Sequence, residues 1–493
     1  MQQGRIYWTD KNTMNEVFTR VKRVLKNGIK IGNRQYEYLA SGNSQFRENG
    51  AYFFAPHPAL STEKIRDWMG LFSEIETVPM YASRLGQCFS TTRAIRGSNV
   101  ILKELADIER NGFNFTDGVG RISPFLARLA ANELGILQHS PDPPSVFQIR
   151  LGGCKGILAL SPTSRGRDIH IRKSQYKFAA KHEGLEIIRW SQYACANLNR
   201  QLILIMSALG VPDSVFVQKL RSQLSKLERA MTDEKIALSI LQKDIDQNQM
   251  TLTIAGMILD GFQQSNEPFL MSLLQLWRAW SIKYLKEKAR ITIGGGALLF
   301  GCVDETATLQ GHFYDTPKPP PNASIREKAK YVPEVFVQLS KGADDKPEVI
   351  LGPILLARNP SLHPGDVRVV VGVDVPHLHH LNDVVVLPQT GDRDVASMCS
   401  GGDLDGDDFL VIWDQDLLPS EWNVEPMDYS RPYVPRHGDK INVDDLTTFF
   451  VTYMKNDTLA SIAQAHLANA DYLEEGVKDE KCELEQSPRH THS

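Results

Sequence analysis

The residues best suited to chemistry lie together in Ser400-Gly401-Gly402-Asp403-Leu404-Asp405-Gly406-Asp407-Asp408, followed by the apolar run Phe409-Leu410-Val411-Ile412-Trp413. Asp403, Asp405 and Asp407 occupy alternate positions, and alternate side chains of an extended segment share a face. Gly401, Gly402 and Gly406 let such a segment close into a tight turn. Three ionised carboxylates held this closely repel one another unless a hard cation neutralises them, and oxygen donors suit Mg²⁺ or Ca²⁺. A helix-loop-helix calcium site is excluded, because it needs Gly at the sixth position and Glu at the twelfth. Counted from Asp403, those positions hold Asp408 and Asp414. Two readings stay open: a polar hairpin loop with solvated acids, and a Mg²⁺ site for phosphoryl or nucleotidyl transfer. In the second, metals roughly 3.5 to 4 Å apart clamp the attacking and leaving oxygens, and substrate contacts must come from elsewhere in the chain.

Cations that could supply those contacts are spread along the chain. Gly152-Gly153-Cys154-Lys155-Gly156 sets a lysine among glycines, where a point charge can stand close to backbone and phosphate alike. It is not a P-loop, since no Gly-Lys-Ser/Thr occurs there. Lys173, Lys177 and Lys181 extend the basic character, and residues 15–38 carry Arg20, Lys22, Arg23, Lys26, Lys30 and Arg34. Such a charge run is either a solvated face or an edge facing a phosphate backbone. Gly118-Val119-Gly120 and Gly294-Gly295-Gly296 each lack the third glycine of a dinucleotide fingerprint. His377, His379 and His380 have no cysteine or fourth ligand nearby in sequence, which argues against zinc.

These groups need a scaffold. At 493 residues the chain can build several cores, and 42% hydrophobic with 23% charged residues is an ordinary globular composition. A net charge of −4 makes no global case for nucleic acid, so any such binding rests on local patches. Six scattered cysteines without a close pair argue against a disulfide framework and imply a reducing compartment. No signal peptide or membrane-spanning run is visible, so the expectation is an intracellular protein, nuclear or cytoplasmic, without membrane contact.

The segment from Thr62, with Ile65, Trp68, Met69 and Phe72, has helical spacing and is expected to pack in the core. Alternation in Phe147-Gln148-Ile149-Arg150-Leu151 predicts a half-buried strand within a small β unit. Helices are expected at 187–209, 217–242 and 268–288, then short strands around 297–303, 349–356, 367–371 and 384–387 that imply a barrel or sandwich. A helical segment over 444–472 precedes a polar end from 474 that reads as disordered.

Taken together, these stretches resemble the eukaryotic cellular RNA-dependent RNA polymerases of RNA silencing. The resemblance covers roughly residues 36–472 and is carried by several motifs besides the aspartate loop. They are Gly42-Asn43-Ser44-Gln45-Phe46-Arg47, Tyr81-Ala82-Ser83-Arg84-Leu85-Gly86-Gln87, Phe115-Thr116-Asp117-Gly118-Val119-Gly120-Arg121, Gln148-Ile149-Arg150-Leu151-Gly152-Gly153-Cys154-Lys155-Gly156 and Arg358-Asn359-Pro360-Ser361-Leu362-His363-Pro364. Asn456-Asp457-Thr458 with Ala465-His466 resembles the segment just beyond the catalytic core. The resemblance implies that residue 1 falls within the family's catalytic region, after its usual amino-terminal portion, and that the family's further head region would follow Tyr472, where the likeness stops.

The resemblance implies an α+β fold, with two double-psi β-barrels joined by a helical connector and flanked by α/β and helical segments. The expected division is a flanking slab-like region at 1–110, a first barrel at 111–185 and the connector at 186–290. A second barrel with the aspartate loop follows at 291–415, then neck and partial head helices at 416–472 and a disordered tail at 473–493. It further implies that Asp403, Asp405 and Asp407 ligate catalytic Mg²⁺, that Lys155 and Lys177 face the nucleotide and primer end, and that Arg358 contacts the incoming sugar. The implied activity is synthesis of complementary RNA on a single-stranded RNA template from nucleoside triphosphates by two-metal nucleotidyl transfer, feeding small-interfering-RNA production with other silencing proteins. One rival is a catalytically impaired RNA-binding scaffold of silencing complexes, and another is a fragment of a DNA-dependent polymerase subunit. Loss of metal ligands would favour the first, and since all three aspartates are present an assay must discriminate it; both barrels on one chain disfavour the second.

Overall fold

A computed structural model describes residues 14–42, 46, 48, 50–97, 99–138, 140–181, 184–243, 250–320, 322–340, 346–429 and 434–482. Of the motif at 42–47, Asn43, Ser44, Gln45 and Arg47 lie outside the described residues, as do positions 483–493 of the expected tail.

Two sheets organise the chain. The first runs in the order Arg93–Ala94, Glu186–Trp190, Val146–Leu151, Cys154–Leu160, Val119–Ile122, Asp168–Arg172, Ile101–Leu105. Val146–Leu151 and Cys154–Leu160 form an antiparallel hairpin, whereas Cys154–Leu160 pairs with Val119–Ile122 in parallel. The predicted alternation holds here: Phe147, Ile149 and Leu151 are buried, while Gln148 and Arg150 are only partly so. Gly152 and Gly153 turn the hairpin at φ 54° and 84°, the left-handed pair that a two-residue turn of matching twist requires. A Cβ on Gly153 would lie 1.8 Å from the Phe178 carbonyl oxygen. The sheet reaches further in sequence than the 111–185 expected for a first barrel, and its hydrogen-bonded path is open among the described residues.

The second sheet closes. Thr292–Val303 pairs with Val384–Leu387, then Glu334–Leu339, Arg368–Gly372, Gly352–Arg358 and Asp408–Ile412 follow in turn, and Asp408–Ile412 pairs back onto Thr292–Val303. At 12 residues Thr292–Val303 is long enough to serve both ends of this six-stranded ring. Its core holds Phe336, Val337, Ile354, Val385, Phe409 and Val411, all fully buried. Among the described residues, the hydrogen-bonded strands thus close one barrel in a mixed α/β chain, compatible with one of the two double-psi barrels expected.

Between the sheets lie helices Arg200–Ala208, Asp213–Arg229, Glu234–Leu241, Met250–Leu259 and Pro268–Lys288. The expected helix over 187–209 is corrected: Glu186–Trp190 and Cys195–Asn197 are strands, and the helix begins only after Asn199, whose side chain caps it by accepting from the Leu202 amide. The expected helix over 217–242 is two helices, the second capped by Asp233. The Thr62–Met69 helix forms, capped by Ser61, but Trp68 is 68% exposed rather than in the core.

Around the sheets, helix Met14–Asn27, strands Arg34–Ala40 and Tyr52–Phe54, and helix Val78–Gln87 share a core with the late helix Val443–Lys455, and strand Ile29–Ile31 pairs with Arg34–Ala40 at its edge. The segment expected over 444–472 is this helix and a second, Leu459–Tyr472. A disordered tail from 473 is also corrected, because Val477 and Cys482 are buried beside Leu202 and Ile205. Two apolar anchors outweigh the polar composition of that stretch. Among the described residues, no helix is long and apolar enough to cross a membrane.

A buried ion cluster ties the first sheet to the barrel. Glu305 lies two residues beyond Val303, and both of its carboxylate oxygens lie 3.0 Å from Nη2 of Arg172. Arg121 also pairs with Glu305. Arg172 further donates from Nη1 to the Val119 carbonyl at 2.7 Å and from Nε to the Ala106 carbonyl at 3.0 Å, so its guanidinium is well supplied with acceptors.

Candidate active site

The aspartate loop sits where the two sheets meet. It enters strand Asp408–Ile412 of the barrel, and in the neighbouring strand Arg358 stands in register with Phe409. From the other side the Asp117 carbonyl accepts from the Leu404 amide at 3.2 Å. The loop's own amides turn inward: Asp403 donates to Asp407 Oδ2 at 3.1 Å, and Asp405 donates to Asp403 Oδ1 at 3.3 Å. The alternation that suggested one shared acidic face is thus realised as a closed turn.

Lys155 and Arg358 reach this loop from opposite sheets. Lys155 Nζ lies 2.6 Å from Asp405 Oδ2, and Arg358 Nε lies 2.5 Å from Asp407 Oδ2. Arg358 also donates from Nη1 to the Ser400 carbonyl at 3.2 Å. Lys177 is nearby but not in contact with the aspartates; its Nζ donates to the Ser174 carbonyl at 2.5 Å. Burial lowers the Lys177 pKa, an effect opposed by Asp117 and Asp405 and reinforced by Arg84 and Lys155. His379 pairs with Asp374 at 2.5 Å and stacks on Phe336, and Nδ1 of His380 lies 3.1 Å from the His377 carbonyl.

The donor chemistry fits a hard divalent cation. Burial first, then the charges of Asp405, Asp407 and Asp117, push the Asp403 carboxyl up to about 7. Such a cluster is short of positive charge, and a cation would supply it. The side chains are nevertheless not gathered into one shell, and among the described residues no group of three His, Cys, Asp or Glu is placed to hold a metal ion. Lys155 and Arg358 occupy Asp405 and Asp407, and a cation would compete with them for those oxygens.

A model of the family described as RNA dependent RNA polymerase matches residues 1–484. The chain belongs to that RNA-dependent RNA polymerase family. It is 41% identical to RNA-dependent RNA polymerase 1 of Schizosaccharomyces pombe, over 97% of this chain and 39% of that protein. It is 38% identical to RNA-dependent RNA polymerase 1 of Arabidopsis thaliana, over 92% of this chain and 39% of that one. The chain therefore spans about two fifths of the length of these relatives. The fold is similar to that of the solved RNA dependent RNA polymerase QDE-1 from Thielavia terrestris, with a TM-score of 0.68 at 20% identity, covering 95% of this chain and 56% of that one.

Within this family framework, Gln148, which sequence reasoning read only as a strand and motif residue, and Arg189, which it did not read at all, stand out. Both belong to the first sheet and both contact the aspartate loop. Gly406, by contrast, was legible as a turn glycine, and its φ of 125° is one that L side chains rarely adopt. A Cβ there would lie 2.0 Å from Nε2 of Gln148. Gly406→Ala is expected to cost about 1–3 kcal/mol in backbone strain, and more where Gln148 cannot move away. Urea unfolding of the variant beside the parent measures this; an unchanged midpoint would mean that the loop relaxes freely.

Proposed function

We propose that this chain is the catalytic region of an RNA-directed RNA polymerase, making complementary RNA on a single-stranded RNA template from nucleoside triphosphates. The observation that carries the reading is the aspartate loop clasped between Lys155 of one sheet and Arg358 of the other. In this reading Asp403, Asp405 and Asp407 hold Mg²⁺, and the first sheet corresponds to the first of two double-psi β-barrels joined by the helices from Arg200 to Lys288. When bound, paired cations lower the pKa of a primer 3′-hydroxyl and neutralise the triphosphate.

The chain's own residues do the rest. Lys155, partly buried, offers a point charge where charge develops on phosphate; in such surroundings it acts more strongly than in open water. Lys177 adds a second ammonium whose burial makes it an incompletely solvated charge. Arg358 presents a planar fork beside the loop, a shape suited to sugar and phosphate oxygens. Template and product would be gripped through phosphates, so binding should weaken with salt and carry little sequence preference. The RNA made would feed small-interfering-RNA production in a silencing pathway.

The test is extension on a single-stranded RNA template with and without Mg²⁺, alongside Lys155→Ala. The parent is expected to incorporate nucleotides only with the cation. Lys155→Ala is expected to slow single-turnover incorporation about 10²-fold, the effect of losing one preorganised charge, while RNA affinity changes little. Loss of RNA affinity with a normal single-turnover rate would make Lys155 part of the binding surface only.

A further inference from the structure

Strand Glu186–Trp190 carries a bulge. Ile187 pairs with Ile149, but the next pairing joins Arg189 to Gln148, leaving Ile188 as the extra residue. In a regular strand Arg189 would share the face of Ile187, which is fully buried in the core. The bulge moves it to the face that carries Gln148, and re-aiming one side chain is what bulges beside functional sites do.

Once there, all three guanidinium nitrogens of Arg189 are engaged. Nε donates to Gln148 Oε1 at 3.0 Å, Nη1 donates to Asp408 Oδ2 at 2.6 Å, and Nη2 donates to the Gly406 carbonyl. The guanidinium also lies 4.2 Å from the centroid of the Phe300 ring, on the barrel's long strand. Gln148 in turn donates from Nε2 to the Asp405 carbonyl at 3.3 Å. The loop is thus held at positions 405, 406 and 408, on either side of Asp407, without use of the Asp403, Asp405 or Asp407 carboxylates. Lys155 and Arg358 differ in this respect, since each takes one of those carboxylates for itself.

We infer that Arg189, together with Gln148, is a positioning residue that fixes the aspartate loop from the first sheet and so sets the directions of Asp405 and Asp407 toward a divalent cation. The inference rests on the reading of the loop as the cation site. A partly exposed ion pair contributes little to stability by itself, so the effect belongs in the loop's order and cation affinity rather than in the melting temperature. Lysine cannot replace this fork, because it has neither the planar geometry nor the separate donors.

Arg189→Lys and Gln148→Met in the full chain test it. Without added cation, hydrogen exchange of the 403–408 amides is expected to be faster in both variants than in the parent. Calorimetric titration with Mn²⁺, and the Mg²⁺ concentration giving half-maximal extension, are expected to weaken about 10–100-fold, as when a partner behind a metal ligand is lost. The KM for nucleoside triphosphate should stay unchanged, and the double variant should be little worse than Arg189→Lys alone, because the two residues act as one unit. Lower melting temperature with unchanged loop exchange and unchanged Mn²⁺ affinity would overturn the inference and leave Arg189 as a plain inter-sheet ion pair. Exchange and Mn²⁺ affinity do not depend on catalysis, so they decide the matter even if no extension is seen, an outcome that would count against the polymerase reading alone.

Discussion

Asp405→Ala is expected to bring incorporation on a single-stranded RNA template below detection while the chain stays folded. Asp405 is the carboxylate held by Lys155 at 2.6 Å, and it is one of the charges that raise the Asp403 pKa. Removing it relieves its repulsion of Asp403 inside the loop, which offsets part of the lost Lys155 pair, so the fold is expected to survive. The cation it would help to hold loses an oxygen donor, and Lys155 loses its counter-charge. The expected loss is at least the ~10²–10³-fold that follows from deleting one preorganised electrostatic group. Rate and melting temperature should therefore move independently, which a general destabilisation cannot produce. Undiminished incorporation in a folded Asp405→Ala variant would remove this residue from the cation site.

The largest stability effect is expected from Glu305→Ala. Arg172 is 1% exposed, and burial lowers its pKa, an effect offset chiefly by Glu305. Without Glu305 the guanidinium keeps its two backbone acceptors but has lost the negative charge bonded to it, and breaking a buried pair in this way costs about 3–5 kcal/mol. Glu305 is 22% exposed, so water can take up part of the loss and the lower end of that range is expected. Urea unfolding with both far-ultraviolet and tryptophan signals measures it. Arg172→Met combined with Glu305→Leu should recover part of the stability, because an apolar pair needs no counter-charge, although Arg121 and the Val119 and Ala106 carbonyls then lose these partners. If the single Glu305 variant unfolds at the parent midpoint, the cluster is held by water more than by its own charges.

What the sequence made legible was local. Three acids at alternate positions among glycines identify the loop without any knowledge of the fold, and Gly152-Gly153 announces the turn that presents Lys155. Arg189 had no such signal. Its partner Asp408 is 219 residues away in sequence, and the bulge that aims it exists only when Glu186–Trp190 is paired with Val146–Leu151. The same dependence explains the misread helix at 187–209: a short apolar run fits either period, and pairing with neighbouring strands decided for β. Closure of the barrel was equally hidden, because it depends on Asp408–Ile412 meeting Thr292–Val303 across a long separation. At the end of the chain, composition spoke for disorder, but the burial of Val477 and Cys482 is a property of two side chains and not of an average.

The ion pair between Lys155 and Asp405 spans 250 residues, and that separation bears on the birth of the protein on the ribosome. The first sheet is complete once Trp190 has emerged, so Lys155, Gln148 and Arg189 can be in place early. Asp408–Ile412, the strand that closes the barrel and carries the loop, is the last of the ring to be made. Until then Thr292–Val303 and Gly352–Arg358 lack the strand that lies between them, and their backbone groups on that side are open to wrong partners. Distant pairings of this kind also form slowly, since the chain must be ordered over a long loop before any contact rewards it. A nascent chain that stalls after residue 358 but before residue 403 therefore carries the cations of the site without its acids, and an unclosed sheet that a chaperone would have to shield.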